Sequence, residues 1–272
     1  MTASRDPQGN DRGSWDHSTH EAFLRYYEEA HLSDHAAKRF AAIRNTVLRA
    51  LARGDQVLDV LDVGCGPGTQ SLVWAELGHR VRGLDVSEQF IAVAKKRTAA
   101  AGFTVNFQVG SAASLPWADE SVDVCLAVEL LEHIVEWEQC LDEFTRVLRP
   151  GGALFLTTTN SLCPKQQEFN LPLYSWYPAP VKRRYERLAK TTRPELASYA
   201  TYPAVNWFTF YELRRELARR SCRSYDRFDI VDLTEKPAFK RLALELVRTA
   251  PPVRFLAHLA SPFTWILAIK NE

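Results

Sequence analysis

The sequence predicts an α/β fold built on a parallel sheet, and three observations carry that prediction. Short apolar, β-prone runs recur at 57–63, 80–85, 104–109, 122–128 and 152–159. Stretches of helical spacing separate them at 69–77, 87–101 and 136–148, which is the rhythm of right-handed βαβ units. The first run, VLDVLDV, is nearly continuous in apolar residues and ends in the glycine turn Gly64, Gly66, Gly68. A run of that kind is a central strand buried on both faces, and glycine lets the backbone after it turn sharply and approach a ligand.

Taken in order, residues 1–18 are polar and read as a tail, and 21–52 carries apolar residues at helical spacing. The first of those helices would use Phe23, Tyr26 and Tyr27, the second Phe40, Ile43, Val47, Leu48 and Leu51. Lys38, Arg39 and Arg44 read as the solvated face of this cover. Beyond 159 the alternation breaks: six prolines and many aromatics between Asn160 and Tyr225 point to a cap inserted over the sheet edge. Helical spacing resumes over 210–220. Residues 228–231 read as a sixth strand, 239–259 as a helical stretch broken at Pro251 and Pro252, and 263–269 as a final strand.

The 272 residues allow a substantial core, and a composition 46% hydrophobic and 25% charged is that of an ordinary globular chain. A net charge of +1 argues against a protein built mainly to bind nucleic acid. No signal peptide or membrane-spanning run is evident, so a cytoplasmic location is expected. The five cysteines are widely spaced and form no zinc pattern, so they read as reduced. Cys65, inside the glycine turn, fits there as a small packing residue.

Ligands in open α/β sheets sit at the carboxyl ends of the strands, which places Asp85, Ser111, Ala112 and Val128 in one crevice with the turn. Asp85 closes the second strand, where a carboxylate accepts hydrogen bonds from ribose hydroxyls. The dinucleotide fingerprint GxGxxG is incomplete here, because Thr69 follows Gly68; that departure counts against a nicotinamide cofactor and an oxidoreductase.

LDVGCGPG at 61–68 resembles motif I of the class I S-adenosylmethionine-dependent methyltransferases, and the resemblance runs through GLDVS, LPWADESVDV, LLEHI and LRPGGALFLTT to about Asn160. It implies a Rossmann-like, seven-stranded, mostly parallel sheet with helices on both faces and a reversed last strand. It also implies S-adenosylmethionine as cofactor. Asp62, Gly64, Cys65, Gly66 and Gly68 would hold its methionine portion, Asp85 its ribose, and Val86, Ser111 and Ala112 its adenine; Val128 would close the pocket below the sulfonium. The family often has an acid where Ser111 stands, so a weaker or water-mediated adenine contact is expected.

At the acceptor end, Glu129, Glu132 and His133 follow the fourth strand in an ExxEH arrangement that resembles the ubiquinone-biosynthesis O-methyltransferase branch. The resemblance implies His133 as base, with a divalent cation on the trio as a weaker alternative to no metal at all. The expected activity is O-methylation of a small or lipid-linked acceptor. N- or C-methylation of a metabolite or sugar, and a catalytically inactive cofactor-binding scaffold, are the alternatives. Aromatics from Phe169 to Tyr177 followed by basic residues from Lys182 to Arg193 make 169–193 a candidate peripheral membrane contact, against an ordinary cap helix. A second, mainly aromatic cluster, Tyr199, Tyr202, Asn206, Trp207, Phe208, Thr209 and Tyr211, is a candidate acceptor clamp or cap core. The expected layout is a tail and helical cover over 1–53, the cofactor core over 54–160, the cap over 161–225 and completion of the sheet over 226–272. Oligomeric state is not legible.

Overall fold

Each buried strand serves two faces, and its alternating side chains explain why helices cover the sheet on both sides. In the computed structural model, which describes residues 33–166, 168–197, 204, 206–234 and 236–272, the strands are β1 (Asp59–Val63), β2 (Arg80–Asp85), β3 (Asn106–Val109), β4 (Val122–Val128), β5 (Leu148–Thr159), β6 (Cys222–Asp226) and β7 (Phe263–Lys270). They form one sheet in the order β3-β2-β1-β4-β5-β7-β6. Neighbours from β3 to β5 pair in parallel, and β7 runs antiparallel to both β5 and β6. The expected seven-stranded, mostly parallel sheet with a reversed last strand is the one observed.

The helices are α1 (Asp34–Leu51), α2 (Thr69–Ala75), α3 (Glu88–Ala100), α4 (Trp137–Val147), α5 (Ala179–Thr191), α6 (Phe210–Arg219), α7 (Arg227–Ile230), α8 (Ala238–Thr249) and α9 (Pro251–Leu259). On one face Leu61, Cys125, Leu154 and Ile266 pack with Leu141 and Phe144 of α4 and with Leu213 and Leu217 of α6. On the other, Val60, Leu126, Phe155 and Leu267 pack with Phe40, Ile43 and Val47 of α1 and with Trp74 of α2. Phe40, Ile43 and Val47 lie at helical spacing, and burying each contributes about 1.5–3 kcal/mol. The tail and the first N-terminal helix, with Phe23, Tyr26 and Tyr27, lie outside the described residues.

Two expectations beyond β5 are corrected. Residues 228–231 are not a strand: Asp226 caps Phe228 and Asp229, and Asp229 returns a bond to the Asp226 amide, so the chain enters the short helix α7. The sixth strand is Cys222–Asp226, paired to β7, so a cap boundary at 225 would fall inside a core strand. The break at Pro251 is where it was read, with α8 ending at Thr249 and α9 starting at Pro251. Within the cap, Phe169, Tyr174, Ala189 and Leu196 form a small core of their own, with Tyr177, Tyr185 and Trp207 packed on it.

Candidate functional site

The glycine turn joins β1 to α2 at the carboxyl end of the sheet. All three glycines have positive φ, 71° at Gly64, 49° at Gly66 and 80° at Gly68, a region costly for residues with a Cβ. They differ in what surrounds them. A Cβ on Gly68 would lie 2.9 Å from the Cβ and 3.2 Å from the Cα of Ala94, so this glycine lets α3 pack close. A Cβ on Gly66 would meet nothing within 4 Å. Gly66 therefore opens the crevice, and its bare backbone leaves the space a ligand needs.

Asp85 faces that opening. Its Oδ2 accepts the Gly66 amide at 2.9 Å and its Oδ1 the Ser87 amide at 2.9 Å. Burial raises its pKa against those two bonds, and each oxygen retains a lone pair for a ligand hydroxyl. The Gly64 and Cys65 amides donate to the Leu84 carbonyl, tying the turn to β2. From α3, Arg97 Nη1 reaches the Pro67 carbonyl at 2.5 Å and Thr69 Oγ1 at 2.9 Å, which fastens the outer rim.

Asp62 sits behind the turn with only 2% of its surface exposed, accepting Gln70 Nε2 at 2.7 Å and Ser71 Oγ at 2.6 Å. It pins the first turn of α2 onto β1, and burial pushes its carboxyl up to about 6 despite those two bonds. Cys65 is buried with Ile91, Ala94 and Phe107, and burial drives its thiol upward, so packing is its role here. Val86 is 63% exposed beside Asp85. The exposed Ser111 takes the Ala113 amide on its hydroxyl, whereas Ala112 turns into the core with Leu115. Val128 is half-buried at the end of β4.

The chain leaves β4 through Glu129, a non-glycine residue at φ 53°, held by its amide to the Thr157 carbonyl at 2.9 Å. Its carboxylate pairs with Arg39 Nη2 at 2.8 Å, so Arg39, read from the sequence as a solvated residue, reaches the crevice rim. Glu132 and His133 lie in a 3-10 turn, Leu131–His133. Glu132 is 2% exposed, its Oε2 has no partner among the described residues, and burial, reinforced by Glu129 and Glu168, holds its pKa well above the carboxylate range. Burial holds His133 down at about 4, which leaves a neutral imidazole near pH 7. Among the described residues no group of three or more His, Cys, Asp or Glu side chains is placed to hold a metal.

Asn206, read from the sequence only as a member of the second aromatic cluster, is a positioning residue. Asn206 Nδ2 donates to the Leu131 and Ile134 carbonyls at 2.9 and 2.6 Å, its amide donates to the Glu132 carbonyl at 3.0 Å, and its own carbonyl accepts Thr159 Oγ1. The cap thereby grips the turn that carries Glu132 and His133. The signal was an asparagine inside the aromatic run at 206–211, a residue type suited to bonding backbone groups. Trp207, Phe208 and Tyr211 pack into three different neighbourhoods, the cap core, the sheet and α9, while Tyr199 and Tyr202 lie outside the described residues.

The strand order, with β7 reversed, and the glycine turn facing Asp85 are those of the class I methyltransferase fold. Residues 61–156 match the family described as Methyltransferase domain. A curated relative, the ubiquinone biosynthesis O-methyltransferase of Rhizobium rhizogenes, is 34% identical over 131 residues, 48% of this chain and 51% of that protein. The chain thus spans about half the length of the curated relatives it matches. Among solved structures, an S-adenosylmethionine-dependent methyltransferase from Mesorhizobium loti superposes with a TM-score of 0.53 at 18% identity, covering 82% of this chain and 95% of that one. The YcgJ protein of Bacillus subtilis gives 0.52 at 19% identity over 84% and 99%. These two likenesses are of fold.

Proposed function

We propose that the protein transfers a methyl group from S-adenosylmethionine to an oxygen of a small or lipid-linked acceptor. The observation that carries the reading is the open face of Gly66 set against Asp85 at the carboxyl end of β1 and β2. Those residues fit the cofactor: Asp85 takes the ribose hydroxyls, the backbone at Gly64, Gly66 and Gly68 takes the methionine portion, and Val86 flanks the adenine. Asp62 acts one layer back by fixing the turn. The bound cofactor supplies an electrophilic methyl group on a positively charged sulfur.

The remaining tasks fall to the chain's own residues. Transfer to a hydroxyl needs alignment, exclusion of water and a place for the proton. His133, neutral near pH 7, accepts that proton at a ring nitrogen. Glu132, whose carboxyl burial pushes well upward, orients the acceptor by hydrogen bonding. Glu129, paired to Arg39, shapes the rim. The relatives named ubiquinone biosynthesis O-methyltransferase support an oxygen acceptor. On the cap, the basic outer face of α5, Arg183, Arg184 and Arg187, is not joined to an apolar face, because most of the cap's aromatics are turned inward.

Calorimetric titration with S-adenosylmethionine, followed by product detection on a panel of phenolic and aliphatic hydroxyl acceptors, tests the reading. Binding with product formation is expected, and no binding ends it. His133→Ala is expected to lower kcat about 100-fold with cofactor affinity unchanged, the size of a lost general base. Unchanged turnover would remove the base assignment.

A further inference from the structure

The largest exposed apolar side chains in the described structure are concentrated away from the cap, on α8 and α9 between β6 and β7. Phe239 is 69% exposed, Leu242 74% and Leu246 53%, and their i, i+3, i+7 spacing places them on one face of α8. Phe255 and Leu256 extend the exposed apolar surface onto α9, and no residue of α8 is buried. A helix that turned this face to the core would hide these side chains, and a helix made only for water would not carry them.

Charge indicates the occupant. Between 236 and 259 the sequence has Lys236, Lys240, Arg241, Arg248 and Arg254 against the single acid Glu245. Arg254 is bound to Asp226 and Asp229, Arg248 to Glu245 and three backbone carbonyls, and Arg241 lines a cleft with Arg49, Asp229 and Asp232, whereas Lys236 and Lys240 are exposed near the apolar face. Two copies meeting through this surface would bring like charges together. An anionic bilayer offers hydrocarbon for the phenylalanine and leucines and phosphate for the cations, the pairing typical of interfacial amphipathic helices.

We propose that α8 and α9 form a peripheral docking surface for an anionic phospholipid bilayer. The surface is anchored to the crevice end of the sheet. Asn160, directly after β5, donates to the His258 and Ser261 carbonyls at 2.8 and 2.7 Å, and His258 Nε2 lies 2.8 Å from Asp226 Oδ2 at the end of β6. Docking through α8 and α9 would therefore set the carboxyl ends of β5 and β6 beside the bilayer. No helix among the described residues is long and apolar enough to cross a membrane, consistent with contact at the surface.

Flotation of the full chain with phosphatidylcholine vesicles, with and without phosphatidylglycerol, tests the proposal without reading activity. Flotation with the anionic vesicles and little with the neutral ones is expected. Leu242→Glu and the double change Lys236→Glu with Lys240→Glu should each reduce bound protein at least about tenfold while leaving the melting temperature unchanged, because all three positions are exposed. Arg183→Glu with Arg184→Glu, in α5, should leave flotation in place. Three results would overturn the proposal: no flotation of the unaltered chain, equal flotation of the α8 variants, or a self-association in gel filtration that Leu242→Glu abolishes.

Discussion

Asp62 shows how a residue in a recognisable motif can act on the fold rather than on a ligand. Its carboxyl is pushed up to about 6 by burial, above the usual carboxylate value of about 4. The folded state therefore holds a proton that the unfolded chain gives up. The stability this group allows is full below pH 4, declines as the pH rises toward 6, and stays reduced by up to about 3 kcal/mol above it. Asp62→Asn removes the charge. The new amide oxygen can still accept from Ser71, and rotation of the Gln70 amide would offer its Oε1, which has no partner now, to the new amide nitrogen. Urea denaturation at a series of pH values is expected to show the variant gaining on the natural protein as pH rises from 4 to 6. A difference independent of pH would show that Asp62 is ionised throughout or that the amide pair does not form.

At the scale of elements, the three glycines of one turn separate into two kinds. Gly68→Ala drives a Cβ against the Ala94 backbone in α3 as well as forcing a left-handed residue, so it should cost about 3 kcal/mol in urea denaturation. Gly66→Ala meets no atom and should cost only about 1–2 kcal/mol in stability, while its methyl group intrudes on the ligand and lowers S-adenosylhomocysteine affinity at least about tenfold by calorimetry. Equal losses of affinity at equal stability would dissolve the distinction. The sequence made the turn and the five parallel strands legible because strands buried on both faces must be mostly apolar, as β1 and β4 are apart from Asp59, Asp62 and Asp123. It hid β6, whose CRSYD has only Cys222 and Asp226 buried as an edge strand, and it disguised α7, whose FDI is β-prone but is started as a helix by Asp226. The turn bearing His133 was legible as a motif, but its grip by Asn206, 73 residues later in the chain, depends on tertiary contact that no local pattern encodes.

For the whole molecule, the two ends of the sheet divide stability from ligand binding. At the amino ends of the strands Arg149 Nη1 bridges Asp59 Oδ2 at 2.9 Å and Asp123 Oδ2 at 2.8 Å, with Arg80 on Asp59 and Arg53 on Asp123. The network draws together the loops before β1, β4 and β5. Arg80, by hydrogen bonding first and Arg149 after it, lowers Asp59 to about 2, so this carboxylate stabilises the fold above pH 4 and loses that effect as the pH falls toward 2. Arg149→Met leaves two largely buried carboxylates each with one fewer cation, and is expected to cost about 1–3 kcal/mol near pH 7. The cost should shrink as the pH falls from 4 toward 2, where the carboxylates take up protons in both folded and unfolded states. The crevice lies about 15 Å away along β1, at the far end of a strand of that length. S-adenosylhomocysteine affinity at a temperature where the variant remains folded should therefore be unchanged. A fall in affinity that tracks the loss of stability would mean that the network and the glycine turn belong to one cooperative unit, with ligand binding set by the charged end as well as by Gly66 and Asp85.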